Sequence, residues 1–195
     1  MPRRQDVANA NRIRILDAAD RLFQERGFAA TTVREIAALS GLSVGSVMHT
    51  GDKTSLLVQL FDSLIAAGHV QTARITDAST CAERVAELVH PFVALFTARL
   101  DLSRVYASTL VSGTHDSTLF GELAAVLVDE MERAITQHGC TSADDARAQS
   151  AALYFAYIGV LFSASAQAEI TESSLMASLR PTFAAICTCK EEKER

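Results

Sequence analysis

Apolar residues recur along this chain at steps of three and four, and no strand-like alternation persists anywhere. That spacing marks helices that bury one side. Ile13, Leu16, Ala19, Leu22 and Phe23 outline a first helix over 10–26, closed by Gly27, since glycine readily takes the left-handed conformation of a helix stop. Residues 4–11 ahead of it read as a polar, partly basic arm. Val33, Ile36, Ala37 and Leu39 give a short second helix, and residues 44–49 a third. A long helix follows from 52 to about 74, striped by Leu56, Leu57, Leu60, Phe61, Leu64 and Ile65. Further helices are predicted over 81–99, 102–112, 118–137, 144–168 and 173–189, with a kink or break from Pro91 near Leu88. The expectation is an all-α chain of about nine helices. Three form an N-terminal head (1–51), six a helical body (52–190), and a charged tail closes the chain (191–195).

The second and third helices carry explicit start and stop signals. Thr32 followed three positions on by Glu35 is a capping-box pattern. Ser40-Gly41 breaks the second helix, and Ser43 is placed to cap the third. Helix, glycine turn, helix is the helix-turn-helix unit, whose second helix enters the DNA major groove. Gly41-x-Ser43-x-Gly45 also matches the nucleophile elbow of serine hydrolases, but that motif needs a strand before it, and here a helix precedes it. No enzyme is expected, and no cofactor.

Composition adds three points. Hydrophobic residues make up 49% of the 195, with three prolines and nine glycines, which is enough to build a core, argues against disorder and favours helices. The net charge of −5 is unevenly spread: residues 1–55 hold eight Lys and Arg against six Asp and Glu, the remainder ten against seventeen. A mildly basic head on an acidic body suits a modular DNA binder. Residues 148–168 carry no charge and could by length span a bilayer. Their Gln149, Ser150, Ser163, Ser165 and Gln167, and the lack of flanking basic clusters, point instead to a helix buried in protein, with no membrane partner.

Cys81, Cys140, Cys187 and Cys189 lie far apart or in short pairs. Neither Cys187-Thr-Cys189 nor His138-Gly-Cys140 has the spacing of a strong zinc motif. Free thiols in a reducing cytoplasm are expected, with no metal. No apolar run of signal-peptide type follows the opening residues.

Residues 13–57 resemble the DNA-binding region of the tetracycline-repressor (TetR) family of bacterial transcription regulators. The matching words are Ile15-Leu-Asp-Ala-Ala19, Leu22-Phe23, Glu25-Arg-Gly-Phe28, Thr31-Thr-Val-Arg-Glu-Ile-Ala37, Gly41-Leu-Ser43 and Gly45-Ser46. After Gly45 the sequence departs from the family's usual wording. Met48 and Thr50 stand where aromatics are common, and a following Phe is missing before Lys53. The resemblance implies a homodimer that reads a palindromic double-stranded DNA operator and answers to a small-molecule effector, most often as a repressor. It implies DNA contacts from Thr32, Arg34, Ser43, Val44, Gly45, Ser46, His49 and Thr50, with Lys53 on a phosphate.

It also implies an effector pocket in the body. Phe92, Phe96, Tyr106, Leu110, Phe120, Leu123 and Leu127, with polar Ser112 and His115, are the candidate lining; an ordinary core would show the same residues. Ala152, Ala156, Gly159 and Ser163 form one small-residue helix face, a candidate dimer interface. The rival reading is a helical adaptor whose DNA recognition has degenerated, motivated by Met48, Thr50 and the shortened turn.

Overall fold

A computed structural model describes residues 4–71, 80–187 and 189, with backbone alone for Arg4, Val70, Gln71, Leu119 and Phe120. The charged tail and the expected helix end at 72–74 lie outside the described residues. Among these, every regular element is helical. The order is α1 (Arg4–Ala30), α2 (Val33–Ser40), α3 (Val44–Thr50), α4 (Lys53–Gln71), α5 (Cys81–Ala98), α6 (Leu100–Ser112), α7 (Ala124–His138), α8 (Ala143–Ser165) and α9 (Glu172–Ile186). A π-helical segment, Leu119–Leu123, leads into α7.

The chain divides into two compact units. One holds the residues up to Leu64 together with Asp101–Ser117, the other Ile65–Leu100 and the residues from Thr118 onward.

In the first unit, α1 buries Ile15, Leu16, Ala19, Leu22 and Phe23. Its regular course is interrupted at Gly27 (φ 81°), after which Phe28 turns back to within 5.3 Å of the Phe23 ring. Thr31 is buried, and its hydroxyl donates to the Leu22 and Gly27 carbonyls at 3.2 and 2.9 Å, fastening the turn. Ile36 and Ala37 of α2, Val47 of α3, and Leu56, Leu57, Leu60 and Phe61 of α4 are buried with them.

Three expectations need correction. Residues 4–11 are helical rather than an arm. Residues 5–10 are exposed throughout, so no apolar stripe announces the helix, and Asp6 near its positive end favours it. Ile13 and Leu39, assigned to buried stripes, are 60% and 43% exposed. Both lie at the margin of a face that their neighbours already cover.

The second unit packs α5, α7, α8 and α9 around one core. Leu88, Val89, Phe92 and Val93 from α5 meet Met131 and Ile135 from α7, Leu153 and Tyr157 from α8, and Leu179 and Phe183 from α9. The break expected near Leu88 is absent, for α5 runs as one helix through Pro91. An interior proline costs about 3 kcal/mol. The four buried side chains around it each contribute roughly 1.5–3 kcal/mol, so packing prevails.

In α8 one side is buried and the other is not. Ala146, Ser150, Leu153, Tyr157, Leu161 and Ala164 are buried, while Ala152, Phe155, Gly159 and Ser163 are exposed. By length and composition α8 could cross a membrane, but its larger side chains are largely taken up by this core.

Gly68 sits against the Phe92 ring, where an added Cβ would lie 2.7 Å from a ring carbon. Gly→Ala inside an exposed helix gains about 1 kcal/mol; here overpacking at about 1–3 kcal/mol reverses the sign. Gly68→Ala is therefore expected to lower the urea midpoint, and a raised midpoint would contradict this packing.

Candidate nucleic-acid interface

The head presents α3 on a scaffold of local caps and long-range tethers. Thr32 accepts from the Glu35 N–H at 3.3 Å, and Glu35 Oε2 accepts from the Thr32 N–H at 2.9 Å, completing the reciprocal capping box at α2. The Thr32 hydroxyl and backbone donors hold the Glu35 carboxyl below its ordinary value, with help from Arg26. This contribution is present above the unfolded carboxyl's pKa and is lost as pH falls through the lowered folded value.

Gly41 closes α2 in the left-handed conformation (φ 67°), and the Leu42 N–H reaches the Ala37 carbonyl at 3.0 Å. The Arg14 guanidinium donates to the Ser40 carbonyl at the same helix end. A cation on unsatisfied carbonyls is the favourable arrangement there.

Ser43 caps α3 by accepting from the Ser46 N–H at 3.0 Å. Only Val47 of α3 is buried. Val44, Gly45, Ser46, Met48 and His49 are exposed, and Thr50 is half-buried. The structure therefore places Val44, Gly45, Ser46 and His49, but not Thr50, fully on the outward side of one short helix. The Ser46 hydroxyl is 2.8 Å from that of Ser43, and Thr50 Oγ1 donates to the Ser46 carbonyl. Arg34 and Thr32 are exposed at the start of α2.

Gly45 is informative because the fold does not require it. An added Cβ would meet only Ser43 Oγ, at 3.7 Å. A glycine inside a helix costs about 1 kcal/mol relative to alanine. The bare backbone is thus unexplained by internal packing and leaves room for a surface to approach closely.

Sequence reasoning missed the tether behind α3. Gln59 of α4 donates to the Thr50 carbonyl at 3.1 Å and accepts from Arg12 of α1 at 2.9 Å. The pair links the recognition helix's last turn to both neighbours. Asn9, Asn11, Arg12, Ser46, His49 and Gln59 help line an open groove of about 660 Å³ between α1 and α3. Nothing in the linear pattern marks these groups, because they meet only once three helices have packed.

Lys53 departs from the expectation of a free phosphate-binding charge. Its ammonium donates to the carbonyls of Phe28, Ala29 and Thr31 at 2.9, 3.4 and 3.0 Å, and lies 4.4 Å from the Phe28 ring centroid. An ammonium has three donors, and all three are engaged within the head. Beside it, Asp52 caps α4 by accepting from the Ser55 N–H at 2.7 Å, a bond that lowers its pKa.

Residues 15–60 match the family model for bacterial regulatory proteins of the tetR family. The HTH-type transcriptional regulator TtgR of Pseudomonas putida is 40% identical over 63 residues, 32% of this chain and 30% of TtgR. That match spans under a third of the curated relative's length. Two solved folds are similar over nearly the whole chain. FadR of Thermus thermophilus, a TetR-family repressor solved with lauroyl-CoA, has a TM-score of 0.68 at 19% identity, covering 94% of this chain and 98% of its own. A TetR regulator from Rhodococcus sp. RHA1 has a TM-score of 0.64 at 16% identity, covering 91% and 96%. Residues 15–60 are thus a head of the tetR-family type, and the whole chain shares its fold with these regulators.

The remaining expected residues are placed as follows. Tyr106 is buried in the first unit, stacked on Phe61 with ring centroids 4.6 Å apart, and its hydroxyl donates to Asp62 at 2.7 Å. Leu110 and His115 are half-buried there, and Ser112 is exposed; His115 Nε2 lies 3.5 Å from Asp52. Phe92 and Leu127 belong to the core of the second unit, with Phe96 packed against it. Leu123 is half-buried in that unit, and the side chain of Phe120 lies outside the described residues. The candidate lining is thus divided between the two units. Two groups in the second unit were not anticipated: His69 and Glu130, both nearly buried, pair at 3.0 Å against the Phe92 ring.

The cysteines, separate in sequence, are gathered in space. Burial pushes Cys81 up, reinforced by the Cys140 and Cys189 thiols, raises Cys140 against the opposing pull of the Cys81 thiol, and raises Cys187 to about 11. Burial also opposes ionisation of Cys189, but the Cys81 backbone N–H and the thiols of Cys81 and Cys140 hold it below the ordinary value.

The engaged state of Lys53 makes a direct expectation. Lys53→Met removes three charge-assisted hydrogen bonds, each worth roughly 1.5–3 kcal/mol when intact, with partial replacement by water at this half-buried site. A loss of about 2 kcal/mol in urea denaturation is expected. An unchanged midpoint would contradict the tether.

Proposed function

We propose that this chain is a ligand-responsive, sequence-specific DNA-binding regulator of transcription, a repressor acting as a homodimer on a palindromic operator. The carrying observation is the outward side of α3. Val44 is apolar enough to meet a thymine methyl, Ser46 can pair with either edge type, and His49 can donate to guanine N7. Gly45, with no internal reason to be glycine, lets the duplex approach. The free N–H groups at the start of α2, with Arg34 beside them, suit a phosphate.

A dimer follows from the same reading, since two heads must sit about 34–36 Å apart to read successive major-groove faces. The small residues Ala152, Gly159 and Ser163, exposed on α8 with Ala156 half-buried, offer a face that a second chain can approach closely. The effector reading rests on FadR, whose structure holds lauroyl-CoA, and on the apolar Phe92, Phe96 and Leu127 of the second unit. Its chemistry is a population shift, in which ligand binds the DNA-incompetent form better.

The rival reading, an adaptor with degenerate DNA recognition, draws on Met48, Thr50 and the engagement of Lys53 with the head's own backbone. Gel shifts on the DNA flanking the coding region separate the two. Regulation predicts a specific complex whose affinity falls with salt, and Arg34→Ala should reduce the salt slope by about one. Retention of the full slope, or no specific complex from a folded dimer, would favour the rival. Gly45→Ala gives the sharper separation: it should raise thermal stability by roughly 0.5–1 kcal/mol while weakening DNA binding at least tenfold. For the dimer, Gly159→Trp is expected to convert a sedimenting dimer to monomer, and a persistent dimer would exclude this face.

A further inference from the structure

Away from the head, the second unit gathers four sulfur and nitrogen donors at one edge of its core. Cys81 is the first residue of α5, His138 the last of α7, Cys140 follows the Gly139 turn (φ 76°), and Cys189 lies beyond α9. We propose that Cys81, His138, Cys140 and Cys189 form a four-ligand site for a zinc-class divalent ion, closed by three thiolates and one imidazole.

The geometry carries the proposal. All four donor atoms lie within 4.8 Å of one another. Cys81 and Cys140 Sγ are 2.8 Å apart, Cys140 and Cys189 Sγ 3.4 Å, and Cys189 Sγ and His138 Nδ1 3.9 Å. Zinc–ligand bonds of roughly 2.0–2.3 Å in a tetrahedron require donor separations of roughly 3.5–3.8 Å. The observed separations straddle that range, so adjustments of about an ångström complete the site. Three thiolates exclude magnesium and calcium, which require oxygen donors. Four protein ligands leave no open position, which makes the site structural rather than catalytic.

Burial fits an ion that enters and stays. Cys81 is buried, while His138, Cys140 and Cys189 are half-buried, giving a route from solvent. The left-handed Gly139 reverses the chain directly after α7 and brings donors two residues apart to one point. A Cys81–Cys140 disulfide is the alternative use of the closest pair, but it would leave Cys189 and His138 without a reason to converge. The ion would join the start of α5, the end of α7 and Cys189 beyond α9.

Cobalt(II) is the probe, because tetrahedral thiolate sites give it intense visible bands and a near-ultraviolet charge-transfer band. Full-length protein, reduced and metal-free under nitrogen, should develop both, saturating at one cobalt per chain and bleached by stoichiometric zinc. Cys189→Ser and His138→Asn should each weaken cobalt binding at least tenfold, with circular dichroism confirming the fold. Cys187→Ser, adjacent but outside the donor set, should bind as the parent does. Zinc should raise the melting temperature of the parent and not of Cys189→Ser. A folded, reduced parent without the tetrahedral spectrum, or a Cys189→Ser variant that binds as tightly as the parent, would overturn the proposal. So would purification of a Cys81–Cys140 disulfide that binds no cobalt after reduction.

Discussion

A seven-residue helix cannot hold its shape alone in water, since isolated helices under about 12–15 residues are marginal even with favourable sequences. α3 is such a helix, and the surface proposed to read DNA depends on everything that holds it from outside. Ser43 supplies one end and the burial of Val47 the inner side. The far end is held by Gln59 on the Thr50 carbonyl, itself braced by Arg12. Arg14 closes the helix before it, and Lys53 closes the turn after α1. Polar groups from α1 and α4 satisfy backbone carbonyls that the head's short helices cannot satisfy for themselves.

That constraint also accounts for the unusual hand-over into α4. A Cβ on Gly51 would sit 2.8 Å from the Ser55 Cβ, so the backbone passes closer to α4 than any other residue allows. The shortened connection and the glycine belong together. Asp52 then caps α4 at once, and Lys53 reaches back to Phe28, Ala29 and Thr31. The loss of aromatic residues at 48 and 50 leaves the inward packing intact, because Val47 alone supplies it and Met48 faces outward.

What was legible in the sequence is what is local. The Thr32–Glu35 box, the Gly41 stop, the Ser43 cap and the helical periodicity all act within four residues, and each is present as read. Marginal positions such as Ile13 and Leu39 fall outside the buried set because periodicity gives a face but not its width. The helix over 4–11 is invisible to periodicity because an exposed helix has no stripe to show. Gln59, the engagement of Lys53 and the convergence of Cys81, Cys140 and Cys189 are contacts between residues 9 to 59 apart, which no spacing rule encodes. The same contrast separates head from body in the comparisons. Caps and glycine turns admit few residue types, so the head keeps recognisable words, whereas a helical core tolerates volume-conserving exchange and retains only its fold.

The central claim is that the braced outward side of α3 reads base sequence. Selection of bound duplexes from a random library by the full chain at moderate salt tests it most directly. The account predicts enrichment of one palindrome, with half-site centres about one helical turn, ~34–36 Å, or a multiple of it apart, and loss of enrichment within the half-sites for His49→Ala. Binding that enriches no sequence, or enrichment indifferent to α3 substitutions in a folded protein, would contradict it.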